Sequence, residues 1–186
     1  SIADILNMLL ELSTFRFVQI FVVQLGLGLF FLYLGVKIIK RDTKKLNILI
    51  FMFYLFIFIS MLLNVIYATI SSVSDDYEMA VKYLHFMTLF FSFMSFPFLL
   101  VFNLILYKSE KVFDFKKQLG VFLVLLIANI SAIALVPDHL SMSTETEWYP
   151  RYDLLYFLVQ IILLSVAVIP MIFFAVKVMQ KFKSPE

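Results

Sequence analysis

The sequence predicts an all-α, polytopic integral membrane protein: a five-transmembrane-helix bundle with its N-terminus outside and its C-terminus in the cytoplasm, preceded by a short interfacial amphipathic helix. Three observations predict it. The 186 residues are 63% hydrophobic and only 15% charged, with a mean hydropathy of +1.00, whereas soluble domains run nearer half apolar and a quarter charged. Five apolar runs each supply the roughly 20 residues that a bilayer crossing needs. The basic residues, finally, gather almost entirely on one side of those runs.

Residues 1–16 (SIADILNMLLELSTFR) are too polar to span. Ile2, Ile5, Leu6, Leu9 and Leu12 recur at helical spacing while Asp4, Asn7 and Glu11 share the opposite side. That pattern fits a helix lying on the membrane surface, or an extension of the first spanning helix. The spanning runs are about Phe17–Ile39, Leu46–Ile70, Ala80–Tyr107, Gln118–Val136 and Tyr152–Val178. The spacers between them are too short to be domains, so residues 1–186 read as a single transmembrane domain.

Orientation follows from the spacers. Lys37, Lys40, Arg41, Lys44, Lys45, Lys108, Lys111, Lys116, Lys117, Lys177, Lys181 and Lys183 fall on one side, and only Arg16, Lys82 and Arg151 on the other. The positive-inside rule places the first side in the cytoplasm of a multi-pass protein of the cell membrane. An odd number of crossings then puts the N-terminus outside.

The third run, AVKYLHFMTLFFSFMSFPFLLVFNLILY, is the one around which the rest is organised. At about 100° per residue, His85, Thr88, Ser92, Ser95 and Asn103 fall within an arc of roughly 80°. A helix surrounded by lipid has no reason to align its polar groups, so this stripe faces protein or water. Ser60, Asn64, Tyr67 and Ser71 form a similar face on the second run, Asp153, Tyr156 and Gln160 on the fifth, and Asn129 and Ser131 lie on the fourth. At about 1.5 Å rise per residue most of these groups lie in the outer half. The inner half holds little beyond Tyr33, Asn47, Tyr54, Asn103 and Tyr107. Polar groups in hydrocarbon are costly unless satisfied. Two arrangements satisfy them at one depth: hydrogen bonds between helices, or a cavity open to the outside and sealed below.

Other features point to packing. In the first run Gln24, Gly28 and Gly35 lie on one side, a flat surface for a neighbouring helix. Pro97 and Pro170 each free a backbone carbonyl, of Phe93 and Val166, and permit a kink.

Several chemistries are excluded. No charged residue lies within a spanning core, which argues against a voltage sensor, ion pump or proton-coupled transporter. The chain has no cysteine and two histidines, so no thiolate or multi-histidine metal centre, and no cofactor, is expected. It contains no nucleophile elbow, zinc helix or phosphate-binding loop, and an enzyme is not expected. Asp75, Asp76 and Glu78 read as an ordinary solvated acidic loop.

An outer N-terminus, the tight basic turn KRDTKK, a long aromatic third helix with a central proline and the outer loop PDHL…WYPRYDLLY together resemble the seven-helix N-terminal sensor region of bacterial and archaeal histidine kinases. The resemblance covers about residues 17–178, the first five of those helices. It implies a receptor module that passes an outside or in-membrane signal inward, shortened after Lys183 relative to the family.

The leading expectation is therefore a membrane-embedded sensory or ligand-binding module with an outward-facing polar pocket. Asn64, Tyr67, His85, Thr88, Ser92, Tyr156 and Gln160 are its candidate ligand-binding residues. The alternatives are a transporter or pore subunit, in which Asn103 and Asn47 continue the polar path inward, and a structural or assembly subunit of a larger membrane complex. The expected partners are the lipid bilayer, a small-molecule or lipid ligand, and further copies of the chain or other membrane subunits; nucleic acid is not among them.

Overall fold

A computed structural model describes residues 17–71, 78–134, 140–141 and 150–183. The N-terminal amphipathic segment 1–16 and the acidic stretch around Asp75 and Asp76 lie outside the described residues. Five helices are long and apolar enough to cross a membrane. The first, α1, is π-helical over Val18–Gln24 and α-helical over Leu25–Arg41; α2 spans Lys45–Ser71, α3 Glu78–Lys108, α4 Phe115–Ala134 and α5 Leu154–Lys183. Between α4 and α5, β1 (Leu140–Ser141) and β2 (Arg151–Tyr152) form a minimal antiparallel pair, with Leu140 opposite Tyr152 and Ser141 opposite Arg151.

Aspartates set the helix starts in places that hydropathy alone misses. The fourth apolar run begins near Gln118, yet α4 begins at Phe115, because Asp114 caps it: its carboxylate accepts the Lys117 amide at 3.1 Å and its carbonyl the Gln118 amide at 3.1 Å. An N-cap carboxylate satisfies amides that the first helical turn leaves unpaired. Asp153 does the same for α5, accepting the Tyr156 amide at 2.8 Å. Tyr152 therefore sits in β2 instead of opening the fifth helix. Between α1 and α2, Asp42 accepts the Lys44 amide at 3.1 Å and pairs with the Lys44 ammonium at 3.0 Å. The hydrogen bond from Lys44 holds the Asp42 carboxyl below its usual range.

The third helix is the centre. It packs against α2, α4 and α5, while α1 packs on α2. Of the most apolar stretch of α3, 44% is buried, against 6–17% for the other four helices. Aromatic rings fill its contacts. Phe56 of α2 meets Phe91 and Phe98 edge-on at 5.2 and 5.0 Å, Phe98 meets Phe122 of α4 at 4.8 Å, and Tyr107 meets Phe174 of α5 at 5.7 Å. Lipid offers little hydrophobic drive between helices, so such contacts, each worth about 0.5–1.5 kcal/mol, carry much of the association. Both prolines are accommodated within continuous helices, Pro97 fully buried in α3.

Gly28 and Gly35 give α1 its close approach to α2. A β-carbon at Gly28 would lie 3.4 Å from Met61 Cβ, and one at Gly35 would lie 3.2 Å from the Phe51 ring and 3.3 Å from Tyr54 Cβ.

The lysine-rich turns meet at one end of the bundle. Lys45 pairs with Glu110 at 2.6 Å, joining the α1–α2 turn to the α3–α4 turn, and Lys181 near the end of α5 reaches the Tyr107 carbonyl at 3.4 Å. Beneath them lies a core of Leu49, Leu100, Val101, Leu104, Ile105 and Phe113. At this end Ser109 terminates α3 with φ of 70°, a left-handed conformation, and its amide donates to the Ile105 carbonyl at 2.9 Å. A β-carbon makes that conformation costly. Ser109→Gly is expected to stabilise the fold by about 0.5–1 kcal/mol, the conformational gain less the added freedom of the unfolded glycine. A rise in the thermal midpoint of the detergent-solubilised protein checks it; a fall would show that the serine side chain matters more than the backbone.

Candidate functional site

At the opposite end, α2, α3, α5 and the β pair converge. Tyr67, Val81, Phe86, Leu140 and Tyr156 form a buried cluster, with Ile70, Leu84, Ile133 and Tyr152 packed around it. His85, 5% exposed, lies among them. The Tyr67 ring meets the imidazole edge-on at 5.5 Å. Its Nε2 is hydrogen-bonded to the Tyr152 hydroxyl. The Tyr152 ring also packs at a tilt against that of Tyr156, centroids 5.2 Å apart, and the Tyr156 hydroxyl accepts a hydrogen bond from the Gln160 amide. A continuous polar and aromatic chain thus runs His85, Tyr152, Tyr156, Gln160, linking α3 to α5 through the β pair.

Two atoms of this chain are buried without a hydrogen-bond partner among the described residues: His85 Nδ1 and Gln160 Oε1. Leaving a buried donor or acceptor unmade costs about 1–3 kcal/mol. Natural structures rarely accept that cost without a use for the group. Burial raises the Tyr152 phenol above its usual range, so it stays neutral and keeps its proton.

Local geometry explains why these side chains meet. Tyr156 and Gln160 are four residues apart on α5 and share a face. The Asp153 cap fixes where that helix begins, and so which way both residues point. His85 projects from the stripe of α3 toward α5. Tyr152 reaches it because the pairing of β2 with β1 turns the chain across the top of α3.

Of the seven candidate residues, four come together here: Tyr67, His85, Tyr156 and Gln160. The other three lie elsewhere. Asn64 donates to Gln24 Oε1 of α1, on the far side of α2. The Thr88 hydroxyl donates to its own helix at Leu84, 2.9 Å away, while its carbonyl accepts the Ser60 hydroxyl at 2.8 Å. Ser92 contributes its carbonyl to the Ser95 hydroxyl at 2.6 Å. Deeper polar groups are also paired between helices: Asn129 donates to the Phe90 carbonyl at 3.2 Å and Asn103 to the Met171 carbonyl at 3.3 Å. Asn47 caps the α1–α2 turn by donating to the Asp42 carbonyl at 3.1 Å. Asn47 and Asn103 thus bond to separate partners, one in the α1–α2 turn and one on α5.

Sequence reasoning missed Tyr152. Its only signal was its place four residues before Tyr156 of the polar face, next to Asp153. Of two clefts, the first is apolar and lies beside the site, and the second is deeper. One, of about 210 Å³, is lined by Phe86, Met87, Phe90, Ile130 and Ile133; the other, of about 10 Å³, lies beside Asn129. Among the described residues no group of three or more histidine, cysteine or acidic side chains is placed to hold a metal.

The chain matches no protein-family model, no curated protein and no solved structure. The resemblance to histidine-kinase sensor regions therefore rests on layout alone.

Proposed function

We propose that this protein is a non-enzymatic, membrane-embedded sensory or ligand-binding module, and that its site is the His85–Tyr152–Tyr156–Gln160 cluster. The observation that carries the proposal is the pair of buried, unpartnered atoms at the two ends of that chain. A purely structural network would be expected to close on itself, as the Asn103, Asn129 and Ser60 bonds do. The lysine-rich end faces the cytoplasm by the positive-inside rule, which turns the cluster outward. Ligand occupancy is then read along α3 and α5, which both reach the cytoplasmic end and meet there through Tyr107, Phe174 and Lys181.

The absence of cysteine from the sequence makes the test direct. Single cysteines at Tyr67, Thr88 and Gln160, and at Leu104 and Ala167 as deep controls, are exposed to a membrane-impermeant maleimide added to intact cells. Tyr67→Cys and Gln160→Cys should react at least tenfold faster than the controls, with Thr88→Cys, whose hydroxyl is bonded within its own helix, near the control rate. Equal rates at Tyr67, Gln160 and the deep positions would remove the basis for an outward-facing site.

A further inference from the structure

The ends left open define what they can hold, and the inference drawn from them rests on the site proposed above. We propose that the ligand is a small uncharged molecule that binds through a hydroxyl group, admitted when the β1–β2 pair lifts from the cluster. Gln160 uses its amide nitrogen on Tyr156, so the free carbonyl oxygen requires a hydrogen-bond donor. The free Nδ1 of His85 is a donor in one tautomer and an acceptor in the other, according to which way the bond to Tyr152 runs. A hydroxyl both donates and accepts, so it can serve Gln160 Oε1 as a donor and can meet His85 Nδ1 in either tautomer. A carboxylate has no donor for Gln160, and an ammonium serves His85 only in the tautomer whose Nδ1 accepts.

Charge is disfavoured for a second reason. The side chains packed around the cluster are aromatic or aliphatic: Tyr67, Val81, Phe86, Ile133 and Leu140. Arg151 and Asp153, adjacent in sequence to Tyr152, are exposed, and the Asp153 carboxylate accepts the Tyr156 amide. On α3 the half-buried Lys82 lies one turn before His85, yet a carboxylate there would still leave Gln160 Oε1 without a donor, and a cation would be stripped of water among apolar side chains.

Entry needs movement, because both open atoms are sealed from solvent in this structure. The element the proposal has move is the β pair. It is only two residues long on each side and sits on the cluster through Leu140. Its polar tie to α3 is the Tyr152–His85 bond.

The test uses the full chain in lipid nanodiscs with ¹⁵N-labelled histidine. The sequence has two histidines, so His139→Gln leaves the His85 ring as the remaining signal. The probes are four-carbon compounds of matched size: 1-butanol, butyrate, butylammonium and butane. Butanol should shift the His85 ring resonances saturably, at a concentration at least tenfold below any effect of the other three. Gln160→Met, with its folded state verified by the unliganded His85 resonance, should abolish that saturation. An equal response to a charged probe, no response to any probe, or a His85 ring contacted by a bound water alone would each overturn the inference. Fast maleimide labelling at Tyr67 and Gln160 would survive any of these results, so failure of the ligand assignment is distinguishable from failure of the site.

Discussion

Tyr152→Phe is expected to raise amide exchange across residues 151–158 by about tenfold or more, while exchange in the middle of α3 stays unchanged. The substitution keeps the ring that packs against Tyr156 and removes only the hydroxyl bonded to His85. Both imidazole nitrogens are then buried and unpaired, at a cost of about 1–3 kcal/mol charged to the closed arrangement. A shift of one to two kcal/mol changes an equilibrium about 5- to 30-fold, and amide exchange reads such local openings directly. Maleimide labelling at Gln160→Cys should accelerate in parallel. A double variant, His85→Leu with Tyr152→Phe, should recover much of the protection, because replacing both partners by apolar groups removes the unpaired atoms. Unchanged exchange in the single variant would mean that Leu140 and the ring contacts hold the β pair alone, and the Tyr152–His85 bond would not be what keeps it closed.

The second large effect lies at the other face of α2. Gly35→Leu should destabilise the protein by about 1–3 kcal/mol or more, the usual range for forcing extra atoms into a packed contact. Tyr54 Cβ, 3.3 Å from the position of a new β-carbon, is attached to the backbone and cannot rotate away, and the Phe51 ring at 3.2 Å is held beside it. Gly26→Leu is the matched control, since nothing lies within 4 Å of a β-carbon there. Both substitutions exchange glycine for a good helix former and so gain the same propensity, roughly 1 kcal/mol. The difference between them isolates the α1–α2 contact. Thermal unfolding in one detergent measures it, and equal midpoints for the two variants would show that α1 is not seated on α2 as described.

The site was partly legible. His85, Tyr156 and Gln160 stood out as bulky polar groups on helical faces, and Tyr67 followed from its spacing with Asn64 and Ser60. Thr88 and Ser92 share the His85 stripe, yet their hydroxyl and carbonyl groups are used by neighbouring backbone and serine groups. Short hydroxyl side chains can return to their own helix, whereas imidazole and carboxamide reach too far to do so. Asn64 was misplaced for another reason. A helix in a bundle has more than one protein-facing side, and the Ser60–Asn64–Tyr67 face divides between α3 and α1.

The sequence by itself determined five helices of membrane-crossing length and the lysine-rich character of one end. Those properties are local: hydrocarbon imposes a length and an apolar content on each segment, and both can be counted along the chain. It also determined which polar residues share a face, since helical periodicity needs no partner. Which face meets which helix was decided by the tertiary structure alone, through the central position of α3. So was the role of Tyr152, which leaves the fifth helix because Asp153 caps it and reaches His85 across 67 positions of sequence. Periodicity relates residues a few positions apart; a bond closed by a turn between two helices depends on how those helices pack.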